Sequence, residues 1–322
     1  MPKESPCVGS KGKSEMTATR VLTRTVGMLG ISCAVVFGGT RAKSVAAKPL
    51  EVLQGQIAEL KVSDAGLTAI KGRMGKERIP FYPSDGGAYA ALVGVDLEAK
   101  PGLATVLVTG TTASGQRRQT PIVLKIMPKE FEKESFSVSK AFDQLTPETL
   151  ERIRRDQNEF ARAFATSVPE RLWEAPFIMP VHAGISSSFG YRRVINGIAR
   201  APHTGVDLRV PMGTEVLAAN RGRVALIGDF FFSGNSLVLD HGGGLYTMYF
   251  HLSEIKVEQG EEVQKGEVIA LSGMTGRVTG PHLHWGALIN GARVDPFELV
   301  NRFGGLFNQH VHLNAATDTE EK

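Results

Sequence analysis

Residues Val257 to Gly286 read VEQGEEVQKGEVIALSGMTGRVTGPHLHWG. Short apolar runs alternate here with glycine turns such as Ser272-Gly273, and the stretch closes on His282-Leu283-His284. Residues two apart on a strand face the same side, so both imidazoles share one face while Leu283 points to the core. Working outward, Glu215 to Ala219, Arg223 to Ile227, Ser236 to Asp240, Leu245 to His251 and His282 to Ile289 all have the length and apolar content of strands. Gly-rich turns such as His241-Gly242-Gly243-Gly244 separate them. A compact antiparallel β domain is therefore expected over residues 176–300.

Upstream, Ala88 to Val95 (AYAALVGV) and Ala104 to Val108 (ATVLV) alternate with turn clusters at Ser84-Asp85-Gly86-Gly87 and Pro101-Gly102. This predicts a small β-sandwich over 48–130 that contains no histidine. The pattern then changes. Thr146-Pro147-Glu148 supplies an N-cap, a first-turn proline and an early acid, and Leu150, Ile153, Phe160 and Phe164 follow at helical spacing. A helix of about 20 residues is expected, ending before Pro169, inside a helical linker spanning 131–175. Residues 301–322 read as a polar tail. The fold class is mainly β, with two β domains and a connecting α-helix.

Residues 1–47 carry seven Lys/Arg and two Asp/Glu, an apolar run from Val26 to Gly38, and a small-residue exit around Ser44 to Ala47. That is the layout of a signal peptide. The apolar run is shorter than the roughly 20 residues needed to span a bilayer, so export with cleavage near Ala46 or Ala47 is expected over a stable transmembrane anchor. Cys33 does not make a lipoprotein signal, because Gly30 stands where such signals place Leu. The chain's net charge is +4. Without the leader it holds 30 basic and 31 acidic residues, so charge gives no reason to expect a nucleic-acid surface. Both cysteines, Cys7 and Cys33, lie in the leader. A mature chain lacking them has neither disulfides nor a thiolate metal site, and any metal falls to histidine and carboxylate.

In His203-Thr204-Gly205-Val206-Asp207 the two polar residues are four apart and share one side of a strand or of a helix. Alone, such a pair is more often a hydrogen-bonded structural pair than a metal site. With a member of the His282/His284 pair it becomes a two-nitrogen, one-oxygen set that suits zinc and leaves a fourth position for water. His251 closes a separate strand, in Tyr249-Phe250-His251-Leu252.

From about Ile185 to Leu299 the chain resembles the lysostaphin and LytM-type zinc endopeptidases. SSSFGYR, HTGVDL, GTEVLAA, MYFHLS, the Val257–Gly286 stretch and VDPFEL occur in that family's order. The resemblance implies a duplicated hybrid-motif peptidase fold. It also implies one zinc ion held by His203, Asp207 and His284, with His282 and His251 as the two further active-site histidines. The implied substrates are peptidoglycan stem peptides and cross-bridges, D-Ala-linked or glycine-bridged, with the D-Ala kind favoured. The region ahead of the helix also resembles a β-rich amino-terminal domain found in some members. No HExxH segment supplies a glutamate base, and His282 is expected to act as the base.

Two rival readings remain to be weighed. Some relatives have lost ligands and act only as wall-binding regulators or activators of other hydrolases, whereas all five positions are intact here. Val257 to Ile269 resembles the hairpin of lipoyl and biotinyl carriers, but the turn Ser272 to Gly276 has no lysine to modify. His182 and His241 are expected to be structural or solvated. His310 and His312, a second HxH pair, are expected to hold no metal.

Overall fold

The computed structural model describes residues 48–63, 67–136 and 146–302, and the strand pairing alone of Ser32–Phe37 and His310–Ala315. The described chain is mainly β, as expected, with α-helices at Pro147–Phe164 and Phe297–Arg302.

The amino-terminal unit has two layers. Leu50–Leu53, Arg117–Met127, Gly102–Thr112, Leu67–Met74 and Glu77–Ile79 form one sheet, while Ile57–Ser63, Ala88–Gly94 and Tyr82–Pro83 belong to the other. Alternate residues of the all-apolar run explain why it has no polar face. Ala91 and Val93 pack into the sandwich core with Leu60, Val108 and Leu124, whereas Leu92 turns to the core of the carboxy-terminal unit. The two units meet closely. A Cβ on Gly94 would lie 2.7 Å from the Ile289 carbonyl, Asn290 Nδ2 donates to the Leu92 carbonyl at 2.8 Å, and Arg293 forks onto Asp96 at 2.7 and 2.8 Å.

The carboxy-terminal sheet is antiparallel, ordered Ile185–Ser187, Gly205–Leu208, Leu283–Ile289, Leu245–Ile255, Gly234–Asp240, Gly222–Phe230 and Glu262–Val263. Leu283–Ile289 is buried along its whole length. One sheet face, carrying Leu237, Leu239, Tyr249 and Trp285, closes the main core. The other, carrying Val238, Tyr246, Met248 and Leu288, receives the long helix through Ala163, Phe160 and Phe164. Thr146 Oγ1 caps that helix, accepting from Thr149 N at 3.2 Å. Leu150, expected in the apolar stripe, is exposed instead, because the helix meets the sheet from Ile153 onward.

Three segments differ from expectation. The stretch 131–175 is not helical throughout: Lys133–Phe136 is a strand, parallel to Arg192–Ile195. Part of the apolar run read as a leader, Ser32–Phe37, is a strand between Ile57–Ser63 and His310–Ala315. A run containing paired valines satisfies strand preference as well as leader hydrophobicity. The segment expected to be a tail contributes that last strand. The rest of residues 1–47 and residues 316–322 lie outside the described residues.

Candidate metal centre

Asp207 and His284 stand opposite each other in the ladder between Gly205–Leu208 and Leu283–Ile289. Asp207 Oδ1 is 2.9 Å from His284 Nδ1. His203 lies in the loop entering Gly205–Leu208 rather than on a strand, and its Nε2 is 3.0 Å from Asp207 Oδ1 and 2.9 Å from His284 Nδ1. These three residues form the one group of this kind found among the described residues.

Their neighbours fix which ring nitrogen carries the proton. A carbonyl only accepts, so His203 Nδ1 donates to the Ser188 carbonyl at 2.9 Å and leaves its Nε2 lone pair facing the cluster. His251 Nδ1 donates to the Thr275 carbonyl and His282 Nδ1 to the Gly280 carbonyl, each at 2.9 Å. The His251 and His282 ring centres are 4.7 Å apart, and His282 Nε2 is 3.7 Å from Asp207 Oδ1. Strand alternation would put Phe250 and His251 on opposite faces. His251 has φ +64°, unusual for a residue with a Cβ, and both rings consequently approach His284, with centre separations of 5.2 and 6.1 Å.

Burial alone would raise the Asp207 carboxyl. The imidazoles of His203 and His284 packed against it outweigh burial and hold the group well below the usual carboxylate range. Burial pushes the imidazoles of His284 and His251 down, His251 to about 4, with His284 a further cause for His251. A neutral His284 ring beside an ionised Asp207 is the protonation state in which these two groups donate electron pairs to a cation.

The loop carrying His203 is held from both sides. His203 N donates to the Tyr191 carbonyl at 2.9 Å, and Gly190 N donates to the His203 carbonyl at 2.8 Å. Behind this turn, Arg192 N donates to the Glu132 carbonyl at 2.8 Å. A side chain on Gly190, at φ +77°, would overlap the Phe131 ring. Glycine is also required at Gly205, where a Cβ would lie 2.6 Å from His284 Nε2.

The remaining histidines have other settings. His182 is exposed. His241 is fully buried, its Nδ1 donating to the Arg221 carbonyl at 2.7 Å and its Nε2 2.7 Å from Thr247 Oγ1. His310 and His312 are described only as strand residues. Sequence reading missed the carbonyl anchors and Phe250. Backbone carbonyls leave no sequence signal, whereas Phe250 was signalled by its place beside His251.

The model of peptidase family M23 matches residues 201–296, which include all five residues of this cluster. A crystal structure of a candidate M23 peptidase from Pseudomonas aeruginosa is 30% identical at a TM-score of 0.63, covering 80% of this chain and 97% of that one. The chain belongs to peptidase family M23. Among curated relatives, the peptidoglycan DD-endopeptidase ShyA of Vibrio cholerae is 44% identical over 112 residues, 34% of this chain and 26% of that protein. The DD-carboxypeptidase/endopeptidase Mpg of Neisseria meningitidis is 44% identical over 120 residues, 37% of this chain and 28% of that protein. The chain thus spans about a quarter of the length of these curated relatives.

Proposed function

We propose that this protein is a zinc-dependent endopeptidase that hydrolyses peptide cross-links of peptidoglycan outside the cytoplasm, with His203, Asp207 and His284 as the metal ligands. The observation that carries this is the convergence of three electron-pair donors to 2.9–3.0 Å of one another. A tetrahedral ion with bonds of about 2.0–2.1 Å spaces its ligands roughly 3.3 Å apart, close to this triangle. Three acceptors packed this tightly repel one another unless a cation or a shared proton lies between them, and one carboxylate with two imidazoles is a set that zinc accepts. The fit is good.

An ion held there supplies a Lewis acid, which polarises a scissile carbonyl and lets water act as a nucleophile near neutral pH. The protein's own groups do the rest. His282 and His251 keep Nδ1–H on carbonyls, which leaves the Nε2 lone pair of each available to take a proton and return it. We assign the base to His282, whose Nε2 lies nearest the ligand cluster. His251, more deeply buried, can donate from Nε2 to the developing oxyanion or the leaving amine only as an imidazolium, a form that burial disfavours. The names of the curated relatives support a substrate in the cell wall and a place outside the cytoplasm. Among the described residues no helix is long and apolar enough to cross a membrane.

Digestion of purified peptidoglycan tests this reading. Fragments should appear with the purified protein, disappear with chelator and return with zinc, and mass analysis of defined muropeptides should show D-Ala-containing cross-links cut ahead of glycine bridges. His282→Ala should retain one zinc per chain while kcat falls about 10²- to 10⁴-fold. Peptidoglycan binding without hydrolysis would instead identify a regulator of another hydrolase.

A further inference from the structure

Three of the four buried or partly buried histidines at this centre have their second nitrogen tied to a carbonyl: His203 to Ser188, His251 to Thr275, His282 to Gly280. His284 does not. Its Nδ1 faces Asp207 and His203, and among the described residues its Nε2 has no hydrogen-bond partner. A metal-binding histidine normally donates its other N–H to a carbonyl or carboxylate, which fixes the ring plane. Something else must set the plane of His284.

The structure offers one candidate. Phe250 lies opposite His284 in the ladder between Leu245–Ile255 and Leu283–Ile289, and the two rings stack with centres 5.2 Å apart and planes 4° from parallel. On the opposite strand neighbour, Gly205 leaves the Nε2 edge room only because it has no side chain. Phe250 is in turn backed by the long helix. Phe160 touches Phe250 at 5.6 Å and Phe230 at 4.6 Å between ring centres. Tyr246, Met248 and Phe250 form one row on the sheet face, and the helix covers its Tyr246 end before the row runs into His284. The same helix pins the neighbouring turn. Asp156 Oδ2 accepts from Phe231 N at 2.7 Å, and two residues on, the Ser233 carbonyl accepts from His251 N at 2.9 Å.

We propose that Phe250, backed by Phe160, is the positioning residue for His284, so that the helix Pro147–Phe164 is a working part of the metal centre rather than a passive connector. Aromatic stacking takes over the role that a carbonyl plays for the other three imidazoles. Offset stacking favours parallel planes at this separation. Loss of the flat face would let the ring rotate and spread its nitrogen over positions that do not meet the ion.

The inference rests on the zinc-peptidase reading, and the test separates the two. Zinc affinity is measured on the full chain by competition with a chromophoric chelator, and ligand geometry from the visible spectrum of the cobalt-substituted protein. Phe250→Leu keeps most of the volume and removes the flat face. It should weaken zinc binding roughly 10- to 100-fold, the range for losing an outer partner of a metal ligand, and broaden the cobalt bands. Phe250→Tyr should restore both. Phe160→Ala should weaken binding in the same direction by a smaller factor. Leu226→Ala, in the same apolar cluster but without a ring on Phe250, serves as the control for general destabilisation, and its folded fraction should bind zinc as the wild type does. Wild-type affinity in Phe250→Leu, or an equal loss in Leu226→Ala, overturns the proposal. A wild-type protein that takes up no zinc overturns the metal-centre reading itself, and this inference with it.

Discussion

In the amino-terminal unit the buried side chains are apolar, among them Leu60, Val93, Val108 and Leu124, whereas the carboxy-terminal unit also buries Asn220, Asp240, His241, Thr247, His251, Ser272 and His284. Both units are antiparallel-rich β structures, so the contrast is not one of architecture. Burying a polar group costs free energy unless it finds partners. Asp240 finds them, accepting from Val168 N at 2.6 Å, Gly242 N at 2.8 Å and Ser167 Oγ at 2.8 Å. His241 finds them in Arg221 and Thr247. The Asp207, His203 and His284 triangle is different, because its members turn acceptors toward one another. A polar group satisfied within the fold holds structure, and acceptors aimed at a common point are held for a ligand.

The sharpest break of this contrast is His284→Ala. It should abolish stoichiometric zinc binding and lower the hydrolysis rate at least roughly 10³-fold, since the ion's transition-state stabilisation amounts to several kcal/mol. The opposite unit should respond in a different currency. Leu124→Ala removes a fully buried side chain from the amino-terminal core and should cost about 2–5 kcal/mol in urea unfolding, while the folded fraction keeps its zinc affinity. A loss of zinc in that variant would show that the division between the units is wrong.

Much of the site was legible because metal chemistry restricts residue type. His203-x-x-x-Asp207 and His282-x-His284 stand out in a chain with eight histidines, and the expectation that His284 and Asp207 converge is met at 2.9 Å. What set that distance was not legible. It comes from a strand register that joins residues 77 apart, and no local pattern encodes such a pairing. The carbonyls of Ser188, Thr275 and Gly280 belong to the backbone and carry no residue identity. The left-handed turn at His251 is equally silent, because nothing in Phe250-His251-Leu252 requires it. Lys133–Phe136 was assigned to a helical linker because four residues, KESF, show no alternation, and their partner Arg192–Ile195 lies far along the chain. The run Ala88–Gly94, by contrast, was readable as a strand, though not as one whose two faces serve two cores.

The buried polar groups also give the carboxy-terminal unit its own acid sensitivity. Burial lowers His241 from its usual 6.5 to about 4 in the folded protein. Above pH 6.5 neither state takes up the proton and His241 contributes no pH dependence. As pH falls from 6.5 to about 4, the unfolded chain is protonated while the folded one is not, so stability declines across that window and levels off below it. A shift of this size corresponds to about 3 kcal/mol. Urea titrations at pH 7, 5.5 and 4 should show the decline, and His241→Gln should flatten it by that amount. An unchanged slope in the variant would assign the acid sensitivity to other groups.

The smallest effect expected concerns the helix that lies against the carboxy-terminal sheet. Thr146→Ala removes the side-chain acceptor for Thr149 N, and the first helical turn, which includes the exposed Leu150, gains nothing from packing in exchange. A lost N-cap costs about 1 kcal/mol. The loss should be felt locally, because Phe160 lies more than three turns further on and is held by Phe230 and Phe250 rather than by the cap. Hydrogen exchange should therefore quicken in the first turn alone, with zinc affinity and kcat unchanged. If this variant weakened zinc binding as Phe160→Ala is expected to, the helix would be acting on the site as a rigid rod, and ring contact near its carboxy-terminal end would not be the route by which it supports His284.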